Sequence, residues 1–178
     1  FRYDFIKELN KKHTIIIVAP YDKYLKKIIN KKIIFSPIFL KKNKKSIISD
    51  FICLIQYFFI INKYKPDYLI SFTIKPNIYA SLASVFSKTK TINNITGLGS
   101  SLLKDNYFTK FIFLFYKIAF RNSYKIIFQN KDDKELFIKK KISFKNNSIL
   151  IPGSGININN FAKYQYPKNK IFTFLFNG

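Results

Sequence analysis

The 178-residue sequence predicts an α/β fold in which helices cover both faces of a parallel β-sheet. Apolar runs such as residues 14–20 are continuous rather than alternating, which is typical of strands that are buried on both sheet faces. Longer segments with helical periodicity separate these runs, as crossovers between parallel strands require. Hydrophobic residues make up 48% of the chain, which excludes a disordered polymer.

Local patterns justify each element in turn. Pro76 is expected in the first position of a helix, where its missing N–H loses no partner. Asn130 suits an N-cap, and Asp132 and Asp133 after it favour the positive end of a helix dipole. Strands are predicted at residues 14–20, 33–39, 67–72, 90–96, 124–129 and 148–152. Helices are predicted at residues 1–12, 23–32, 46–64, 77–86, 106–122 and 131–141.

These elements form one Rossmann-like domain over residues 1–161, and a polar linker follows at residues 162–170. The stretch 171–178 is predicted to begin a further strand. The chain opens without Met directly in a helix and closes on a strand that runs into a Gly turn. We therefore expect it to be a piece of a longer protein.

Charge is the strongest bias in the composition, because 32 Lys and Arg oppose 9 Asp and Glu, giving a formal net charge of +23. One explanation is drift towards A/T-rich codons at surface positions, and the other is attraction to nucleic acid, acidic lipid or phosphorylated substrates. Only Arg2 and Arg121 are Arg, which disfavours a sequence-specific DNA reader. A non-enzymatic nucleic-acid-binding domain remains an alternative that charge alone supports.

The reactive side chains do not form an evident catalytic group. Cys53 is the single Cys, lies in an apolar run and is predicted to be a small buried hydrophobe. His13 is the single His and is predicted to lie in a surface turn, so neither a Cys–His pair nor a zinc site is expected. The sequence therefore predicts no metal or cofactor and leaves the catalytic residues unassigned.

Two apolar helices raise the question of a membrane. Residues 47–61 are too short to span a bilayer, which needs about 20 apolar residues, so burial against the sheet is predicted. The helix at 106–122 carries Lys110, Lys117 and Arg121 on one side. It is either a buried helix with one solvent-exposed polar stripe or a helix that lies on a bilayer with its basic residues at the headgroups.

Three polar segments follow predicted strands, at residues 73–77, 94–99 and 152–157. Ligands of open parallel sheets bind beyond the carboxyl ends of the strands, so these segments form a candidate site, although plain turns use the same residues. Lys75 is unusual, because a cation at a helix N-terminus opposes the helix dipole. We interpret it as a focus of positive potential for a phosphate or diphosphate.

Four segments together resemble the N-terminal half of glycosyltransferase family 4 enzymes: "ISFTIKPNIYASLAS", "INNITGLGS", "IIFQNKDDKELF" and "IPGSGIN". These enzymes have the GT-B fold, two Rossmann-like domains that face each other across a cleft. The closest resemblance is to the bacterial branch that acts on undecaprenyl-diphosphate-linked sugars in capsule, O-antigen and N-glycan assembly. It implies retaining transfer of a hexose or N-acetylhexosamine from a nucleotide sugar, usually a UDP-sugar.

The resemblance also implies which residues bind. The acceptor-side or cleft candidates are Thr73, Lys75, Asn77, Asn94, Thr96, Gly97 and Gly99. The candidates in the donor-side turn are Ser154, Gly155 and Asn157. The implied partners are a nucleotide sugar, an undecaprenyl-diphosphate-linked acceptor and the anionic inner face of the bacterial cytoplasmic membrane, with no nucleic acid. Another sugar-phosphate or nucleotide-binding Rossmann enzyme is the remaining alternative.

The sequence departs from the family pattern in three places. Thr96 or its neighbours stand where many members carry a His, and Asn157 stands where Asp is usual. The first strand with its Gly-rich loop is not in the sequence. Residues 171–178 resemble the first strand of the C-terminal donor domain, whose remainder, including the paired glutamates, is also not present. We therefore expect this chain by itself to be inactive.

Overall fold

The computed structural model describes residues 2–22, 25, 33–40, 47–99, 102 and 106–155. Helices and strands alternate along them as predicted, except between residues 19 and 33, where two strands follow each other among the described residues. The strands are β1 (Ile15–Ala19), β2 (Ile33–Pro37), β3 (Tyr68–Phe72), β4 (Lys90–Ile95), β5 (Lys125–Phe128) and β6 (Ser148–Leu150). The helices are α1 (Tyr3–Leu9), α2 (Ile47–Tyr64), α3 (Ile74–Ala83), α4 (Tyr107–Ala119) and α5 (Lys131–Lys139). The predicted helix at 23–32, the linker and the stretch 171–178 lie outside the described residues, apart from Leu25.

Every strand pair is parallel, which confirms the α/β class. The strands form two ladders where one sheet was expected: β1 pairs with β2, and β3, β4, β5 and β6 pair in that order. Helices lie on both faces. On β3, Phe72 contacts Phe5 of α1, whereas its neighbour Ser71 bonds to Asn77 of α3. Because successive strand residues point to opposite faces, α1 and α3 cover opposite faces.

An aromatic cluster fixes α4 and α5 against β5. The ring of Phe137 lies 5.3 Å from Phe128, 5.2 Å from Tyr116 and 5.9 Å from Phe113. All three contacts are edge-to-face, a geometry that aromatic quadrupoles favour. Because Phe128 is the last residue of β5, the cluster anchors the carboxyl end of that strand.

A second cluster ties the two ladders together through α2. Cys53, Tyr57 and Ile61 recur at four-residue spacing and form the buried face of the helix. Val18 of β1 and Leu69 of β3 both pack against this cluster. By length and composition alone α2 could cross a membrane, a criterion that core helices of soluble proteins also meet. The predicted burial against the sheet holds for one face, and the rest of α2 leaves large apolar side chains exposed.

Helix α3 begins at Ile74, three residues earlier than predicted, so Pro76 is its third residue rather than its first. The cause is Thr73, whose φ of 67° and ψ of 164° turn the chain immediately after β3. The first helical turn then closes with the N–H of Asn77 donating to the carbonyl of Thr73 at 3.0 Å. Lys75 and Pro76 therefore lie within the first turn of the helix.

Candidate functional site

The three polar segments meet at the carboxyl edge of the four-stranded sheet. Thr73 follows β3, Thr96 follows β4, and Ser154 lies in the turn after β6. Gln129, directly after β5, joins them: its Nε2 donates to Asn94 Oδ1 at 3.4 Å and to Ser154 Oγ at 2.8 Å. The candidate residues of the second and third segments therefore belong to one hydrogen-bonded group.

The sequence reasoning did not select Gln129. The signal was positional, because Gln129 is the first residue after its strand, as Thr73 and Thr96 are after theirs. Parallel neighbouring strands end at one edge, so the first residue after each strand is a candidate whatever its type. This rule would have added Gln129 to the site.

The segment after β4 is open to solvent around its two glycines. Gly97 has φ 142° and Gly99 has φ 69°, and a Cβ at either position would meet nothing within 4 Å. The glycines are thus required by backbone conformation rather than by packing. Leu98 between them is buried in the core and anchors the loop. The result is a fixed loop whose exposed backbone a ligand can approach closely.

Asn77 lies beneath this edge rather than in it. Its side chain is 1% exposed, accepts from Ser71 Oγ at 2.6 Å and donates to the carbonyl of Asn94 at 3.0 Å. These bonds join the start of α3 to the end of β4. The side chain of Asn77 therefore fixes the geometry of the site and does not face solvent.

A buried polar network supports the same region from the middle of the sheet. Asn93 is completely buried, and its Nδ2 donates to Ser71 Oγ at 3.0 Å and to Ser81 Oγ at 2.7 Å. Its Oδ1 accepts from Ser123 Oγ at 2.7 Å. Buried amides that are satisfied in this way rigidify a core. Because the partners are 12 to 30 residues away in sequence, the sequence reasoning could not identify the network.

Lys75 has an acidic partner within the protein. Its Nζ lies 2.7 Å from Asp50 Oδ1 on α2, and both side chains are about three-quarters buried. Burial and the same carboxylate raise the pKa of the Tyr79 phenol, which also bonds to Asp50. The Asp50 carboxylate offsets the unfavourable position of the Lys75 ammonium at the N-terminus of α3.

The remaining candidates divide as follows. Ser154 and Gly155 are exposed at the edge, with Gly155 at φ 68°, and Asn157 lies outside the described residues. The exposed residues of the three segments offer hydroxyls and backbone groups, the Gln129 amide is partly exposed, and the Asn94 amide is buried. Such neutral groups hydrogen-bond and orient an oxygen-rich ligand, but they are poor general acids or bases near pH 7. The geometry therefore describes a binding surface.

Comparison with curated proteins gives no match for this chain. The parallel sheets flanked by helices are consistent with the N-terminal half of a GT-B fold. The family model described as glycosyl transferase 4-like matches residues 1–130, so the chain belongs to this family and contains a glycosyltransferase domain.

Proposed function

We propose that this domain is the acceptor-binding half of a retaining glycosyltransferase. The enzyme would move a hexose or N-acetylhexosamine from a UDP-sugar to a polyprenyl-diphosphate-linked saccharide in surface polysaccharide or glycan assembly. The observation that carries the proposal is the convergence of Gln129 and Ser154, linked to the buried Asn94, beside two exposed glycines at the carboxyl edge. Short polar side chains and open backbone suit a saccharide, whose hydroxyls both donate and accept hydrogen bonds.

The diphosphate of the acceptor would lie at the N-terminus of α3. The exposed N–H groups of a helix start attract anions, and Lys75 adds a full positive charge there. Asp50 competes for this ammonium, so a diphosphate would have to share it or displace the carboxylate. The proposal thus predicts that Lys75 favours binding of the diphosphate and that Asp50 opposes it.

The lipid part of the acceptor agrees with the surface of α4. The helix buries one face in the aromatic core, and basic Lys117 and Arg121 are exposed alongside its outer apolar residues. The exposed apolar residues of this helix are Tyr107, Phe108, Phe111, Leu114 and Ile118. Of the two interpretations of this helix, so much exposed apolar surface favours a helix that lies on a bilayer. We therefore propose that the protein is peripheral on the cytoplasmic, anionic face of the bacterial membrane.

The binding proposal is tested by titrating the chain with farnesyl diphosphate, a short polyprenyl diphosphate, and following amide NMR signals. We expect shifts at Thr73, Thr96 and Gly97. Lys75→Ala is expected to lower the affinity by about tenfold, because it removes a charge-assisted hydrogen bond. Asp50→Asn is expected to raise the affinity, because it removes the competing carboxylate.

The matched controls carry the same charge changes at the opposite end of the sheet. Lys88→Ala and Asp67→Asn lie before β4 and β3, where both side chains are exposed. If these controls change the affinity for farnesyl diphosphate as much as Lys75→Ala and Asp50→Asn do, the affinity depends only on net charge. The site assigned to the diphosphate is then wrong. Farnesol and inorganic pyrophosphate show whether the lipid or the diphosphate carries the binding.

A further inference from the structure

Gln129 holds its side chain in one orientation at the carboxyl edge. Its Nε2 carries two hydrogens, and both are donated within the protein, to Asn94 Oδ1 at 3.4 Å and to Ser154 Oγ at 2.8 Å. The oxygen Oε1 of the same amide accepts from no donor among the described residues. Because Gln129 is only partly buried, this oxygen is an acceptor that a ligand can reach.

Asn94 supplies the complementary donor. The residue is 5% exposed, its Oδ1 accepts from Gln129, and its backbone carbonyl accepts from Asn77 Nδ2 at 3.0 Å. Its own Nδ2 has no hydrogen-bond partner in the part of the chain that the structure describes, yet it is not among the atoms there that are sealed from solvent. A nearly buried amide nitrogen that still meets solvent is a position where a ligand group completes the bonding.

The two amides together present one acceptor and one donor whose roles are fixed. The bond between Gln129 Nε2 and Asn94 Oδ1 keeps either amide from rotating alone. A secondary amide offers the opposite pair, a carbonyl that only accepts and an N–H that only donates. A sugar hydroxyl is smaller and has a single oxygen, so it would reach one of the two groups. The fixed pair therefore suits a ligand amide better than a hydroxyl.

An apolar surface lies next to the two amides. Ile127 precedes Gln129 by two residues, so both side chains point to the same face of the sheet, and Ile149 of β6 is the register partner of Ile127. Ile149 is 40% exposed, and Ile127 is partly exposed. The hydrogen bonds that join Gln129 to its described partners involve no charged side chain. A neutral group that carries a methyl, such as an N-acetyl group, matches both features.

The amides also lie beside the proposed diphosphate site. Asn94 is bonded to Asn77, whose N–H closes the first turn of α3 on the carbonyl of Thr73 at 3.0 Å, and Lys75 belongs to the same turn. In a sugar that is linked to a diphosphate through C1, the substituent at C2 is adjacent to that linkage. A diphosphate at the N-terminus of α3 would thus bring the C2 substituent of the first sugar towards Asn94.

We propose that Asn94 and Gln129 recognise the 2-acetamido group of the first sugar of the acceptor. Asn94 Nδ2 donates to the acetamido carbonyl, Gln129 Oε1 accepts from the acetamido N–H, and the methyl group packs on Ile127 and Ile149. The two amides are then specificity-determining residues, and the acceptor carries an N-acetylhexosamine next to its diphosphate. The position next to a diphosphate rests on the proposed function, whereas recognition of the acetamido group does not.

The test compares two probes, farnesyl diphosphates that carry either N-acetylglucosamine or glucose, by NMR titration of the 178-residue chain. The N-acetylglucosamine probe is expected to bind about tenfold more tightly, because it satisfies both amides, whereas glucose leaves one without a partner. Only this probe should shift the side-chain amide signals of Asn94. Its methyl group should show nuclear Overhauser contacts with Ile127 and Ile149. Equal affinities for the two probes overturn the proposal.

A variant tests the part played by Gln129. Gln129→Met keeps a side chain of similar size and removes both amide groups, so the preference for the N-acetylglucosamine probe should fall from about tenfold to about twofold or less. The matched control is Gln56→Met on α2, where the side chain accepts from the N–H of Phe39. This control should keep the tenfold preference. A full preference in Gln129→Met, or an equal loss in Gln56→Met, contradicts the assignment.

Methyl glycosides of the same two sugars separate this inference from the proposed function, because they carry neither lipid nor diphosphate. The N-acetylglucosamine glycoside should shift the side-chain amide signals of Asn94 and Gln129, in the parent chain and in Lys75→Ala alike, and the glucose glycoside should not. If farnesyl diphosphate does not bind but this shift is seen, the proposed function fails and the acetamido site stands. If farnesyl diphosphate binds and the two sugars are not distinguished, the acetamido site alone fails.

Discussion

Thr73 has a backbone conformation that β-branched residues almost never adopt. Its φ of 67° and ψ of 164° fall in a region that is essentially restricted to glycine, and its side chain makes no helix-capping hydrogen bond. Such strain costs on the order of 1–3 kcal/mol and accumulates at functional sites. The conformation starts α3 directly after β3 and leaves the hydroxyl exposed at the carboxyl edge.

We expect Thr73→Gly to raise the free energy of unfolding by about 1 kcal/mol, since relief of strain exceeds the entropic cost of glycine. The same variant should bind farnesyl diphosphate more weakly, because it lacks the hydroxyl. Urea unfolding and the NMR titration measure the two effects. Thr73→Ala separates them, because it loses the hydroxyl and keeps most of the strain. A less stable Thr73→Gly would show that the strain is absent.

Cys53 is a packing residue whose thiol resists ionisation. Burial, and then the nearby Asp50 carboxylate, raise the pKa of this thiol from 9.0 to about 11. A thiol that ionises more readily in the unfolded chain stabilises the fold fully below pH 9, and the contribution is lost as the pH rises through about 11. The predicted role as a buried hydrophobe is confirmed.

A pH series measures this contribution. Between pH 8 and pH 10 the free energy of unfolding of the parent chain should fall by about 1 kcal/mol more than that of Cys53→Ala. Urea unfolding at both values gives the difference, in which the titration of the many lysines cancels. Parallel losses in the two proteins would show that the thiol ionises alike in the folded and unfolded states.

At the scale of the residue, contacts between distant segments were what the sequence could not predict. The partner of Lys75 is Asp50, which lies 25 residues away on another helix. The turn and cap residues were easier, because their signals are local. Asn130 accepts from the N–H of Asp133 at 2.7 Å, so its predicted N-cap is confirmed.

At the scale of the element, we expect α4 to bind the surface of anionic membranes. It begins at the N-cap Asn106, which accepts from the N–H of Thr109 at 2.9 Å. Its outer surface combines apolar residues with Lys117, and the exposed Arg121 lies in the turn just after the helix. The double variant Lys117→Gln/Arg121→Gln is expected to weaken binding to phosphatidylglycerol vesicles by about tenfold or more, since each basic residue near the surface contributes about 1 kcal/mol. Co-sedimentation measures the loss.

The matched control changes two exposed lysines on or next to α1, which covers the opposite face of the sheet. Lys7→Gln/Lys12→Gln removes the same charge without altering α4. Equal losses in the two double variants would mean that vesicles respond to net charge alone, which would contradict a docking role for α4. Phe111→Ser, at an exposed position, should weaken binding without a change in charge.

The elements themselves could largely be predicted from the sequence. Continuous β-branched runs gave the strands to within one or two residues at most ends, because burial on both faces requires such runs. The start of α3 could not be predicted, because a non-glycine residue at positive φ has no sequence signature. The predicted start of α3 is therefore three residues later than the observed one.

At the scale of the whole molecule, charge should oppose folding. At a net charge of +23 the basic side chains repel one another. Salt weakens this repulsion, with a screening length of about 10 Å at 0.1 M. The urea midpoint is therefore expected to rise between 0.05 M and 0.5 M NaCl, while vesicle binding falls over the same range. A falling midpoint would mean that ion pairs such as Lys75–Asp50 outweigh the repulsion.

The order of the strands in the sheets also could not be predicted from the sequence. Patterning identifies a buried strand but not its neighbours, so a single sheet was expected where β1 and β3 border a cavity. The carboxyl edge could be predicted because the rule for parallel sheets depends only on where strands end. The loops after β4 and β6 meet at this edge through Gln129.

The bridge made by Gln129 also couples parts of the chain that are distant in sequence. A displacement of Ser154 is relayed through one side-chain amide to Asn94, and the carbonyl of Asn94 passes it to Asn77 at the start of α3. A shift of the backbone at Ser154 would therefore be felt at the end of β4 and at the start of α3. In the proposed enzyme, these three contacts would link movement at Ser154 to the proposed acceptor site.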